Sequence, residues 1–87
     1  MRAQIAVARN LRRLRVGRKL SQEALAVDAG IDRTYVGRLE RGRENPTVLV
    51  LERLAQALGA EIAEFFDTTR VSRGPVKPLP GGRRKRV

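Results

Sequence analysis

Residues 21–42, SQEALAVDAGIDRTYVGRLERG, constrain the fold of this chain most, because two short amphipathic segments meet there at a single glycine. Ser21 precedes the first segment and Asp32 the second. Both are residue types whose side chains accept hydrogen bonds from the opening turn of a helix. Gln22 and Glu23 then place an acceptor and a negative charge at that first turn. A helix over Gln22–Ala29 turns Leu25, Ala26 and Ala29 inward, and Gly30 ends it in the left-handed conformation. The next helix starts at Arg33, runs through 41 and stops at Gly42. Its apolar stripe is short: Val36, Leu39 and Tyr35, with Ile31 placed just before the cap.

The flanks read as helices too. Residues 3–19 carry Val7, Leu11, Leu14 and Arg15 at i, i+4, i+7 and i+8, with Ala3 and Ala8 beside that stripe. "GRENPT" is a loop, since a residue before proline avoids the helical region. Thr47 caps a fourth helix, about 48–58, with Val48, Leu51, Leu54, Ala55 and Leu58 on one face and Gly59 at its end. A last short helix, "AEIAEFF", sets Ile62, Phe65 and Phe66 against the bundle. From Asp67 onward the prolines, glycines and cations show no helical period and read as a flexible basic tail. The expected architecture is therefore all-α: one compact five-helix domain over 1–66 and a tail over 67–87.

Composition supports this. Aromatic residues make up 3% of the chain, so the core must be aliphatic, which suits packed helices. Cys and His are absent. That removes disulfides, thiol chemistry, the commonest zinc ligands and the usual general base. No nucleophile–base pair, metal cluster or phosphate-cradling loop can be assembled, so neither an enzyme nor a cofactor is expected. The net charge is +10; residues 1–66 hold 12 basic and 8 acidic residues, and residues 67–87 hold 7 and 1. Nearly all the cations are arginine, whose planar fork suits phosphate and guanine edges. A polyanion, double-stranded DNA before a membrane surface, is the expected partner. No apolar run approaches the roughly 20 residues that span a bilayer. Arginines interrupt the N-terminus before a signal-peptide core can form, so a soluble cytoplasmic protein is expected.

The spacing across 21–42, about eight residues, a glycine and then about ten, is that of a helix-turn-helix, whose second helix enters the DNA major groove. The crossing needs a small residue at Ala26, φ > 0 at Gly30, and apolar Val36 and Leu39 to seat the second helix on the first.

With "LRRLR" before "LSQEALA", then "AGI", "LERGRENP" and "LERLAQALG", residues 7–66 resemble the phage-repressor class of helix-turn-helix domains, the Cro/cI or XRE family. The resemblance implies a lambda-repressor-like bundle that binds operator DNA as a two-fold homodimer, as a transcription regulator such as a repressor. It implies base reading by Arg33, Thr34 and Arg38 on the outward side of the recognition helix. Gln22 takes the place of a phosphate-contacting glutamine that also lies near the first base. Arg15 and Glu40 correspond to a structural ion pair between first and third helices, with a phosphate contact as a second role for Arg15. Tyr35 either reaches the DNA backbone through its hydroxyl or packs its ring on the preceding helix. Arg41, Arg43 and Asn45 fall where the family's loop follows the sugar-phosphate backbone. Gly37 departs from the pattern, which has a polar side chain there in many relatives.

Leu49 and Val50 lie off the expected core face of the fourth helix and suggest a dimer interface, with Phe66 contributing. An antitoxin or adaptor that binds a protein through this helix or through the tail is the alternative in a different class.

Overall fold

The computed structural model describes residues 3–71 of the chain, and all of its regular elements are helical. They are α1 (Ala3–Gly17), α2 (Gln22–Ala29), α3 (Arg33–Glu40), α4 (Val48–Leu58), a 3-10 segment (Ile62–Phe66) and a single turn, α5 (Thr68–Val71). The fifth helix expected from sequence is thus a 3-10 segment, braced by the backbone N–H of Glu61 donating to the Glu64 carboxylate at 3.0 Å. The turn α5 lies in what sequence assigns to the tail, and its start is capped by Asp67, which accepts from Thr69 N at 3.0 Å. The rest of the expected tail, 72–87, lies outside the described residues.

Local chemistry sets where each helix begins. Ser21 Oγ accepts from Ala24 N at 2.9 Å, Asp32 Oδ1 from Thr34 N at 2.9 Å, and Thr47 Oγ1 from Val50 N at 3.1 Å. The helix ends share a second device, in which a left-handed residue lets the following N–H reach back five positions. These bonds are Leu20 to Arg15 (3.1 Å), Ile31 to Ala26 (3.0 Å), Arg43 to Arg38 (2.9 Å) and Ala60 to Ala55 (2.9 Å). The left-handed residues are Lys19, Gly30, Gly42 and Gly59. Lys19, at φ 59°, is the exception to glycine, which is why α1 stops at Gly17 rather than at 19 as periodicity suggests. In the same way α3 ends at Glu40, with Arg41 as its cap.

The core draws on every one of the four longer helices: Leu11, Leu25, Val36, Leu39 and Leu54 are almost fully enclosed, together with Phe65 from the 3-10 segment. Two expected inward residues point elsewhere. Val48 is 68% exposed and Phe66 44%, while Val50, read as off the core face, is half-buried and packs against the core. The first turn of α4 lies beside Ile31 and Tyr35, and these neighbours draw Val50 inward and turn Val48 out.

One buried polar residue ties the two ends of the described chain together. Asn10 is fully enclosed in α1, and its Nδ2 donates to the carbonyls of Phe65 (2.9 Å) and Asp67 (2.8 Å). Its Oδ1 accepts from Arg13 Nη2 at 3.0 Å. Arg18 adds a bond at the far end of α1, donating from Nη1 to the Leu58 carbonyl at 2.6 Å, where a cation also suits the C-terminus of α4. Asn10→Ala strips the Phe65 carbonyl of a buried donor, and should cost roughly 1–3 kcal/mol of stability in urea unfolding.

Candidate nucleic-acid interface

The turn between α2 and α3 presents one face of the molecule to solvent. Gly30 makes it possible at φ 71°, and Ala26, 2% exposed, lets α3 cross α2 closely. Val36 and Leu39 anchor α3 in the core, so Arg33, Thr34 and Arg38 stand on its exposed side.

The crossing is locked by one carboxylate. Glu40, whose side chain is 5% exposed, accepts from Arg15 Nε at 2.6 Å and Arg15 Nη2 at 3.0 Å. It also accepts from Gln22 Nε2 at 3.1 Å. Arg15 spends its remaining arm on the Leu20 carbonyl at 2.8 Å, in the turn that leads into α2. The hydrogen bonds that Arg15 donates to Glu40 raise the guanidinium's pKa above its already high value, against the opposing effect of burial. One cluster therefore joins α1, the start of α2 and the end of α3.

The two exposed arginines differ in how they are held. Arg33 Nη1 lies 3.9 Å from Glu23 Oε1, with both side chains mostly in water, a contact worth little. Arg38 Nε lies 2.7 Å from Glu44 Oε2, and the Glu44 side chain is only 21% exposed. Glu44 was not singled out by sequence. Its partner is reached through the left-handed turn at Gly42, and its backbone carbonyl accepts from Gln4 Nε2 of α1 at 2.7 Å.

Tyr35 is half-buried in a shallow hollow with Ile31, Asp32, Arg38, Glu44 and Val50. Burial, and then the negative charge of Glu44, push its hydroxyl pKa above the ordinary value of 10. Arg41, Arg43 and Asn45 are exposed along the segment after α3.

Gly37 is buried beneath Gln22 and Arg41. A Cβ there would lie 3.4 Å from Gln22 Oε1 and 3.5 Å from Arg41 Nη1, which is ordinary contact. The glycine therefore lines the floor of a polar notch formed by Arg15, Ser21, Gln22, Arg33 and Thr34, without steric need. Gly37→Ala should raise stability by about 0.5–1 kcal/mol, through helix propensity, as measured by thermal or urea unfolding.

The tyrosine gives a pH handle, since Tyr35 is the one tyrosine of the chain. A folded-state pKa above the unfolded value means that the protonated hydroxyl is favoured in the fold. The associated stability is complete below about pH 10 and is lost as pH rises through the folded pKa. Ultraviolet titration of tyrosinate should give a midpoint above about 10, and Glu44→Gln should lower that midpoint by removing the neighbouring charge.

Among the described residues no helix is long and apolar enough to cross a membrane. The helix-turn-helix family HTH_3 matches residues 11–65. An uncharacterized HTH-type transcriptional regulator, y4dJ of Sinorhizobium fredii, is 44% identical over 63 residues, covering 72% of this chain and 82% of that protein. The crystal structure of the restriction-modification controller C.AhdI from Aeromonas hydrophila aligns with a TM-score of 0.70 at 43% identity, covering 72% of this chain and 96% of that one. The controller C.Esp1396I, solved as a tetramer in complex with its natural 35 base-pair operator, aligns with a TM-score of 0.69 at 29% identity, covering 76% of this chain and 87% of that one.

Proposed function

Because the chain belongs to the HTH_3 family, the XRE type of helix-turn-helix transcriptional regulator, we propose that it binds a roughly palindromic operator as a homodimer, with α3 in the major groove. The observation that carries this is the exposed side of α3, where Arg33, Thr34 and Arg38 stand together on a helix held by the Arg15–Glu40 pair. Arginine forks onto guanine O6 and N7, and a threonine hydroxyl or methyl meets neighbouring edges. Gln22, at the mouth of the same notch, reads or clamps at the first base. Tyr35, Arg41, Arg43 and Asn45 follow the sugar-phosphate backbone, and the half-buried Arg15 adds a phosphate contact to its structural role. The operator complex of C.Esp1396I supports the choice of ligand.

Dimerisation is assigned to the exposed side chains of Leu49 and Phe66, 57% and 44% exposed, with Val50, next to Leu49 in the chain, seated inward against the core. A two-fold dimer places two α3 helices about one helical turn of DNA apart, on the order of 10 bp. Occupying such a site regulates transcription by blocking polymerase or by standing beside it.

Selection of bound duplexes from a random pool tests both parts. The parent protein should return a sequence with two-fold symmetry. Arg33→Ala and Arg38→Ala should each relax preference at one position per half-site, by about 1–3 kcal/mol. Affinity should fall by roughly 0.9 log unit per log unit of salt for each phosphate neutralised. Selected sequences without a repeat would remove the dimer, uniform weakening by either substitution would make that arginine a phosphate contact, and absence of DNA affinity at low salt would sink the whole reading.

A further inference from the structure

The two arginines on the outward side of α3 reach solvent in different states, and that difference has a source in the loop that follows the helix. Arg33 has only a 3.9 Å contact between two exposed side chains. Arg38 is gripped at Nε, 2.7 Å from Glu44 Oε2, by a carboxylate that is itself mostly enclosed. Three features hold the carboxylate in place. Gln4 of α1 donates to the Glu44 carbonyl at 2.7 Å. The Arg43 N–H closes back on the Arg38 carbonyl at 2.9 Å, so the loop is bonded to the residue whose side chain it grips. Tyr35 and Val50 line the same hollow beside the carboxylate.

A guanidinium held through Nε has only its outer edge, Nη1 and Nη2, left to offer, and that edge is the fork that matches guanine O6 and N7. Its rotamers are also already restricted before any ligand arrives, so less side-chain freedom is lost on contact. We propose that Glu44 is a specificity-determining positioning residue: it fixes Arg38 in the orientation that reads one base, whereas Arg33 adapts to its contact. This rests on the reading of α3 as the groove helix.

The opposite role is physically coherent, because a carboxylate near DNA repels phosphate and could latch Arg38 away from it. The two roles differ in what loss of Glu44 does to base preference. The experiment is a double-mutant cycle of Glu44→Ala and Arg38→Ala on duplexes selected with the parent protein and on variants at each position. Every affinity is normalised to that for a random duplex, which cancels the general gain from removing a negative charge. Glu44→Gln serves as a second variant that keeps the side-chain shape, and thermal unfolding identifies any variant that is not folded.

Expected is a three- to tenfold flattening of preference, up to about 1.4 kcal/mol, at the position that Arg38→Ala also flattens. Positions that depend on Arg33 should be unchanged, and Glu44→Ala should have no further effect once Arg38 is absent. Preference kept or sharpened at the Arg38 position in both Glu44 variants overturns the inference and makes Glu44 a latch. An equal loss in the Arg38→Ala background overturns it as well, since the effect would then not pass through that arginine. A parent protein that selects no sequence overturns the DNA reading itself and this inference with it, an outcome distinct from selection that ignores Glu44.

Discussion

The arrangement of this molecule depends on the carboxylate of Glu40. Short helices such as α2 and α3, of eight residues each, have little stability alone. Their crossing angle must come from contacts, and apolar contacts between a few small side chains do not fix an angle sharply. Glu40 does so because its two oxygens take bonds from α1, through Arg15, and from the first residue of α2, through Gln22. Removing one partner of such an enclosed pair typically costs about 3–5 kcal/mol, because the other charge is left without compensation. The cluster lies just under the outward face of α3, so the side chains there inherit its rigidity. Gln22 also lies over Gly37, which places the glycine beside the same assembly, although a Cβ there would meet only ordinary contact.

Much of this was legible in the sequence, for a physical reason. Ser21, Asp32 and Thr47 act within three residues of themselves, so the start of each helix is written locally. Gly30 and Gly59 end helices by the same local rule. Lys19 follows that rule while hiding its signature, because a lysine rarely takes a left-handed conformation and residue type alone does not announce it. The faces of α4 were harder. Its periodicity allows Val48 or Val50 to lead the inward stripe, and only the position of Ile31 and Tyr35 decides between them.

The interface divides in the same way. That Arg33, Thr34 and Arg38 lie on the outward side follows from helical spacing about Val36 and Leu39. That Arg38 is gripped by Glu44 does not, since the loop must first fold back through Gly42 and be held by Gln4, 40 residues away in sequence. Asn10 is the extreme case, bonding carbonyls 55 and 57 residues distant. Its one signal was a polar residue among Val7, Leu11 and Leu14. Backbone acceptors leave no mark on a sequence, so such a partner could be suspected there but not named.

Asn10 and Arg15 sit on the same helix, five residues apart, which at 1.5 Å per residue is about 7.5 Å along its axis. One holds the segment that carries Phe66, and the other holds α3. The first helix is therefore a rigid ruler between the surface assigned to self-association and the surface assigned to DNA. In a dimer joined at that surface, the distance between the two reading helices would be set by a stiff rod inside each copy. Such a dimer would tolerate little variation in the gap between half-sites: an added base pair would have to be absorbed by bending the DNA rather than by the first helix of either copy.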